Sequence, residues 1–345
     1  MMNRRVLLTA SMTGVIGLAS ASVQADTLYI GAYGGSSEYA MKESIIPAFQ
    51  EKHDVDIVYV AGNSTDTLAR LQAQAGQQEL NVVLLDDGPM YQAVNLGFCS
   101  PMNGLEALDD VYDIARFPND NAVGVGVVAS GFAYNAEMFE RNGWESPSSW
   151  RDLADEKFQG KIVVPSVSNT YGLHTLVMAA RLNGGGEDDI DPGFEYIQDS
   201  VVPNILSFET SAGGMSQLFQ NEEIALSVWG SGRVQALADT GFPVKFAYPE
   251  EGAVALMVAG CIVDGSGEDE LSRAFMAHLL SPEIQAVLAD TQGWGPSNRY
   301  TELDDELAAS LPYGDRIDHL TSVDWDTINP QRMEWTNRWN RRVER

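Results

Sequence analysis

Cysteine is nearly absent from this 345-residue chain. Only Cys99 and Cys261 occur, which excludes a disulfide-built scaffold and a zinc cluster made of thiolates. Two readings of the pair stand: one bridge formed in an oxidising compartment, or two small buried apolar side chains. Histidine is as sparse. His53, His174, His278 and His319 show neither H-x-H nor H-x-x-x-H spacing, so no metal-ligating pattern is present. Lysine is scarcer than arginine, and the 21 basic residues face 49 acids, for a formal net charge of −28. Binding a nucleic-acid backbone needs clustered cations, so a nucleic-acid partner is not expected. Beyond the first 25 residues no run of 18 uninterrupted apolar residues occurs, which leaves no candidate membrane-spanning helix there.

What is present begins with an export signature. Arg4 and Arg5 precede an apolar and small-residue stretch from Val6 to Ala21, and Val23-Gln24-Ala25 fits a small-x-small cleavage site. Residues 1–25 therefore read as a signal peptide cleaved near Ala25, and the mature protein as exported. Its removal would take the net charge to about −30. The acids are scattered, as in Asp109-Asp110, Glu187-Asp188-Asp189 and Asp304-Asp305-Glu306. They read as a solvated acidic surface of the kind suited to high salt, or as a field that draws in cationic solutes. The remaining length is long for one core and points to two lobes.

Along the first hundred residues, strand and helix patterns alternate: Thr27–Tyr33, a helix over Glu38–Lys52, Val55–Val60, a helix over Asp66–Ala75, then Val82–Leu85 and a helix after Pro89. This is the βαβαβα pattern of a doubly wound parallel α/β sheet. Gly124–Tyr134 and Ala253–Val263 are long extended apolar runs, and each is a candidate crossing between lobes. Between them the theme repeats, with strands at Ile162–Pro165, Leu206–Phe208 and Ile224–Trp229, and helices at Tyr171–Leu182 and Ala212–Gln220. Ser281 followed by Pro282 marks a helix start with a serine N-cap. The tail Asn329–Arg345 reads as a helix that docks Met333, Trp335, Trp339 and Val343 on the acidic body.

No nucleophile elbow, dinucleotide fingerprint or paired catalytic acids are found; Gly230-Ser231-Gly232 is a turn. No catalytic residue, cofactor or metal site is assigned. Instead, many strand-to-helix turns end in small polar residues: Gly34–Ser37, Gly62–Thr65 with Ser64 and Thr65, Ser168–Thr170 with Asn169, Ser211, and Gly230–Gly232. Each exposes backbone N–H groups at the edge where open α/β sheets take ligands. Ser130 lies in the first crossing run and completes the polar set. Tyr33, Tyr171, Trp229 and Trp294 supply aromatic walls. Asp86-Asp87 holds a cation or ligand amine, or caps the following helix. Arg233 pairs with a ligand acid, or is an exposed helix arginine. His174 lies one turn past Thr170 and is either a ligand contact or a half-buried histidine whose bonds are satisfied within the fold. A donor-rich cleft with aromatic walls is a binding site closed by hinge motion.

These stretches resemble the bacterial ABC-transporter periplasmic solute-binding proteins of the type II fold, in the branch that contains the spermidine/putrescine binders. The resemblance rests on the Gly62-Asn-Ser-Thr65 turn, Phe132-Ala-Tyr134-Asn135, Val228-Trp229-Gly230-Ser231-Gly232, Tyr248-Pro249-Glu250-Glu251-Gly252, Leu280–Gln285 and Gly293–Asn298. It implies two doubly wound α/β lobes joined by two β crossings, with lobe 1 at 26–130 plus 259–312 and lobe 2 at 131–258 plus 313–345. It further implies a periplasmic monomer that hands a small-molecule ligand to the transmembrane subunits of an ABC permease. The polyamine binders of this family hold ligand amines with acids where this chain has Tyr171 and His174, and place a Trp and an Asp where it has Leu256 and Val258. Only the Trp229 position is kept. The resemblance thus implies a small amine-containing or zwitterionic ligand, with polyamine, thiamine or phosphonate binding and a solute-sensing role as alternatives.

Overall fold

The computed structural model describes residues 26–209 and 211–344; the expected signal segment 1–25 lies outside the described residues. Among the described residues, eleven strands join in one mixed sheet. β1 (Thr27–Tyr33), β2 (Asp56–Gly62) and β3 (Val82–Asp86) are parallel, with β1 in the middle. β6 (Ile162–Val164), β7 (Ile205–Phe208) and β8 (Leu226–Gly230) form a second parallel set, with β6 in the middle. Each strand is followed by a helix or helical turns, as the alternating pattern predicts.

Two long strands link the sets. β5 (Val123–Asn135) and β10 (Val254–Val263) pair antiparallel with each other, and every residue in both is buried. Strands covered on both faces read as unbroken apolar runs. The far half of β5 goes on to pair with β8 and with β9 (Val244–Ala247), while β10 pairs with β3 and with β4 (Cys99–Ser100). β11 (Gly295–Pro296) adds to the near half of β5. The two long strands are therefore the crossings expected from Gly124–Tyr134 and Ala253–Val263. A third passage runs beside them: Thr321 exchanges backbone hydrogen bonds with Ala253 and Ala255 on its way to the C-terminal helix.

Burial follows this division. One apolar cluster centres on Leu28, Ile30, Phe49, Val82–Leu85 and Phe275. A second gathers Phe132, Trp150, Phe158, Leu173, Phe194, Trp335 and Trp339, and a third, smaller one joins Met215, Phe219, Trp229 and Leu237. Cys99 and Cys261 are joined by a disulfide that ties β4 to β10 within the first cluster, so the bridge is the correct reading of the pair.

Several expectations shift. The helix over Glu38–Lys52 is broken into Ser36–Ala40, a π-turn at Met41–Ile45 and Ile46–His53, because Pro47 has no N–H to continue the ladder. Ser281 does not cap with its side chain; its hydroxyl donates to the His278 carbonyl. The terminal helix starts at Trp325, not Asn329, because the Asp324 carboxylate caps the N–H groups of Asp326 and Thr327 and Pro330 is absorbed inside the helix. Met333 does not dock: it is 77 % exposed.

Candidate functional site

The carboxyl ends of both parallel strand sets converge on one cavity of about 610 Å³. From the first set come Tyr33 and Gly34 after β1, Asn63 and Ser64 after β2, and Asp86 at the end of β3. From the second come Pro165 and Asn169–Tyr171 after β6, Glu209 and Ser211 after β7, and Trp229, Gly232 and Arg233 at the end of β8. Val128 of β5, with Leu256 and Val258 of β10, forms the floor, and Trp294 closes one side. The helix starts along this edge are capped by side chains: Asn63 accepts from Asp66 N–H, Asn169 from Tyr171 N–H, and Ser211 from Gly214 N–H.

The walls are fixed by packing. Trp229 is only 4 % exposed and stacks on Phe219, with centroids 6.3 Å apart. Tyr33 meets Trp294 edge-on at 6.2 Å. The Tyr171 hydroxyl lies over the Gly230 Cα so closely that a Cβ there would collide with it. Gly230 is thus required by close approach.

The cavity holds opposed charges. The Tyr33 hydroxyl donates to Asp86 Oδ1 at 2.7 Å, and the Asp86 N–H donates to Ser64 Oγ at 3.0 Å. Burial raises the Asp86 pKa, while the Tyr33 hydrogen bond and the positive charges of Arg332 and Arg233 pull it back down. Burial pushes the Tyr171 hydroxyl up to about 12, against the lowering effect of nearby Arg233. Arg233, in the first turn of the helix Ser231–Ala238, lines the mouth as an exposed guanidinium. Glu209, Asp239 and Asp290 also line the cavity, so its rim is acidic.

Ten of the expected contacts meet here: Tyr33, Gly34, Ser64, Asp86, Asn169, Tyr171, Ser211, Trp229, Arg233 and Trp294. Four do not. Thr65 sits in the first turn of its helix and points to solvent. Asp87 turns inward, accepting from the N–H groups of Gly88 and Met257. Ser130 and His174 are fully buried and bond each other, Oγ to Nδ1, at 2.8 Å. His174 is the third of nine consecutive buried helix positions, and burial, with Arg332 and Arg181 nearby, lowers its pKa to about 3. It is a neutral core side chain. Sequence reasoning missed Glu209 and Gln292, and within the Gly62–Thr65 turn it singled out Thr65 where Asn63 lines the cavity. Glu209 directly follows an expected strand end, the same signal that marked Asp86. Gln292 ends a helix and carries no such signal.

The sequence profile described as bacterial extracellular solute-binding protein matches residues 44–311. The chain belongs to this family. Similar members of the solute-binding family include the thiamine-binding periplasmic protein of Brucella suis, 24% identical over 340 residues, covering 96% of this chain and 97% of that one. The gamma-aminobutyric acid-binding protein of Pseudomonas aeruginosa is 21% identical over 304 residues, covering 84% and 82%. Among solved structures, an ABC transporter protein from Clostridium perfringens superposes with a TM-score of 0.80 at 22% identity, covering 92% of this chain and 99% of that one. That likeness shows a shared solute-binding fold. Solute-binding proteins of this kind capture small molecules in the periplasm for ABC importers.

Proposed function

We propose that this chain captures a small solute carrying both an ammonium and an acidic group, and delivers it to the transmembrane subunits of an ABC permease. It works as a periplasmic monomer after cleavage near Ala25, without cofactor, metal or catalysis. Lobe 1 comprises 26–130 plus 259–312, and lobe 2 comprises 131–258 plus 313–345. The two close about β5 and β10. The observation that carries the reading is one cavity with Asp86 on one side and Arg233 on the other. Asp86, oriented by Tyr33 and Ser64, takes the ammonium. Arg233 takes a carboxylate or phosphonate, which its planar fork can hold with two hydrogen bonds. Trp229, Trp294 and Tyr171 cover the carbon chain between them.

A second reading is favoured by the acidic rim. Glu209, Asp239 and Asp290 outnumber Arg233, which suits a cation without an acidic group, such as thiamine or a polyamine. A thermal-shift panel of γ-aminobutyrate, 2-aminoethylphosphonate, thiamine, putrescine and spermidine separates the two. A ligand at a hundred times its Kd adds about 2.7 kcal/mol of stability. The acid-bearing amines are expected to give the largest shift, and Arg233→Ala and Asp86→Asn each to abolish most of it. The largest shift coming from thiamine, putrescine or spermidine would overturn the reading.

A further inference from the structure

On the same side of the cavity as Asp86 lies a polar group with half of its bonding unmet. The helix Pro282–Gln292 ends at the cavity with Gln292, whose Oε1 accepts a hydrogen bond from Ser37 Oγ at 2.6 Å. Its Nε2 is buried and has no hydrogen-bond partner. An amide held through its oxygen presents its two N–H groups in a fixed direction, and a buried donor without an acceptor is costly. Ser37 and Gln292 both line the cavity.

The backbone at Gln292 and Gly293 meets Gly232, the residue before Arg233. Gly293 has φ 65, in the left-handed region. A Cβ on Gly293 would lie 2.7 Å from the Gly232 Cα, and a Cβ on Gly232 would collide with the Gly293 carbonyl and lie 3.3 Å from the Gln292 carbonyl. Two glycines therefore let the loop after the 282–292 helix meet the start of the 231–238 helix. Trp294 belongs to the first apolar cluster, and Trp229 and Val234 to the third, so the two sides of this contact come from different cores.

We propose that Gln292 is a specificity-determining residue that donates through Nε2 to the acidic group of the ligand, alongside Arg233, with Ser37 as its positioning residue. The inference rests on the zwitterion reading above. One acidic group then bridges donors from both sides of the cavity, so the acid rather than the ammonium draws the two sides together.

The test is calorimetric titration of γ-aminobutyrate, 2-aminoethylphosphonate and putrescine into the wild-type protein and into Gln292→Ala, Gln292→Glu and Ser37→Ala. For whichever acid-bearing amine binds wild type most tightly, Gln292→Ala should raise Kd by roughly 10-fold, the worth of one hydrogen bond to a charged group. Gln292→Glu keeps the bond from Ser37 but sets a carboxylate against the ligand's acid, and should raise Kd by roughly 100-fold. Ser37→Ala, which frees the amide, should raise it by a few-fold. Putrescine has no acid, so its Kd should not rise in any variant and should fall in Gln292→Glu. A merely structural role would move all three ligands alike, and that result overturns the inference. So does an unchanged Kd for the acid-bearing amine in all three variants, while leaving the zwitterion reading intact. If no acid-bearing amine binds wild type, both fall together. Ser37→Ala carries the test if the Gln292 variants do not fold.

Discussion

Adjacent carboxylates at the end of β3 have opposite surroundings. Asp86 faces the cavity, whereas Asp87 is 5 % exposed and is wrapped by Gly88 N–H, Met257 N–H and the Trp325 side chain. Burial and then the charge of Asp86 push the Asp87 pKa up to about 7, against those three donors. In the unfolded chain an aspartate titrates near 3.9. Between these values the folded chain keeps a proton that the unfolded chain gives up. Stability from this group is therefore full below about pH 4 and is lost as pH rises through about 7. The wild-type Tm should fall between pH 5 and pH 8, and Asp87→Asn, which cannot ionise, should show a flatter profile in scanning fluorimetry. Parallel profiles would show that Asp87 does not titrate in that window. The sequence exposes the Asp86-Asp87 pair and its place at a strand end, but not which of the two faces the ligand. That choice is made by tertiary contacts from β10 and Trp325, which lie some 170 and 240 positions away along the chain. His174 is the reverse case. Its neighbours Leu173, Leu176, Val177 and Met178 already mark it as a core position, and the nearby helix start does not bring it to the cavity edge.

The C-terminal helix Trp325–Arg342 belongs to both halves of the fold. Trp335 and Trp339 are buried in the second cluster, each worth roughly 2–3 kcal/mol by the area they remove from water. Its first turns instead lie on the helix Asp87–Asn95 of the first half. Asn329 Nδ2 donates to the Gly88 carbonyl, Gln92 Nε2 to Asn329 Oδ1, and Asn95 Nδ2 to Asp326 Oδ1, each at 3.1 Å. Trp325 lies flat against Gly88, where a Cβ would stand 2.7 Å from its ring. Gly88→Ala should therefore push this helix off its seat and cost about 1–3 kcal/mol by overpacking, read as a lower urea midpoint at unchanged slope. A midpoint equal to wild type would mean that the helix start is free to shift. The spacing of Trp335 and Trp339 made the docking face legible in the sequence. The helix start was not legible, because Pro330 reads as a boundary, and only the Asp324 cap and the contacts of Trp325 carry the helix four residues further back. The same limit applies to the crossings: their unbroken apolar runs announce them, but the third passage at Thr321 rests on a single bridged pair and leaves no periodic mark.

At the scale of the molecule, the dominant feature is a charge of −28. Among the described residues, few of the acids are seen in ion pairs. The ion pairs among the described residues are mostly surface pairs such as Lys42–Glu38, Arg70–Glu79 and Arg141–Glu222, which contribute little each. Most of the acid is left to repel itself across the surface, which destabilises a compact state and eases as salt shortens the reach of each charge, from about 10 Å at 0.1 M to about 3 Å at 1 M. The Tm of the unliganded protein should thus rise by several degrees between 0.05 and 1 M NaCl at pH 8. An equal osmolality of sucrose separates this effect from general exclusion, since sucrose strengthens burial without screening charge. If screening dominates, NaCl outperforms sucrose and most of its gain is reached by a few tenths molar, where the Debye length has already fallen below the spacing of neighbouring surface charges. A Tm that climbs equally in both, or not at all in NaCl, would mean that the acids are well enough solvated and spaced to cost the fold nothing, and that their weight lies in the field at the cavity rim.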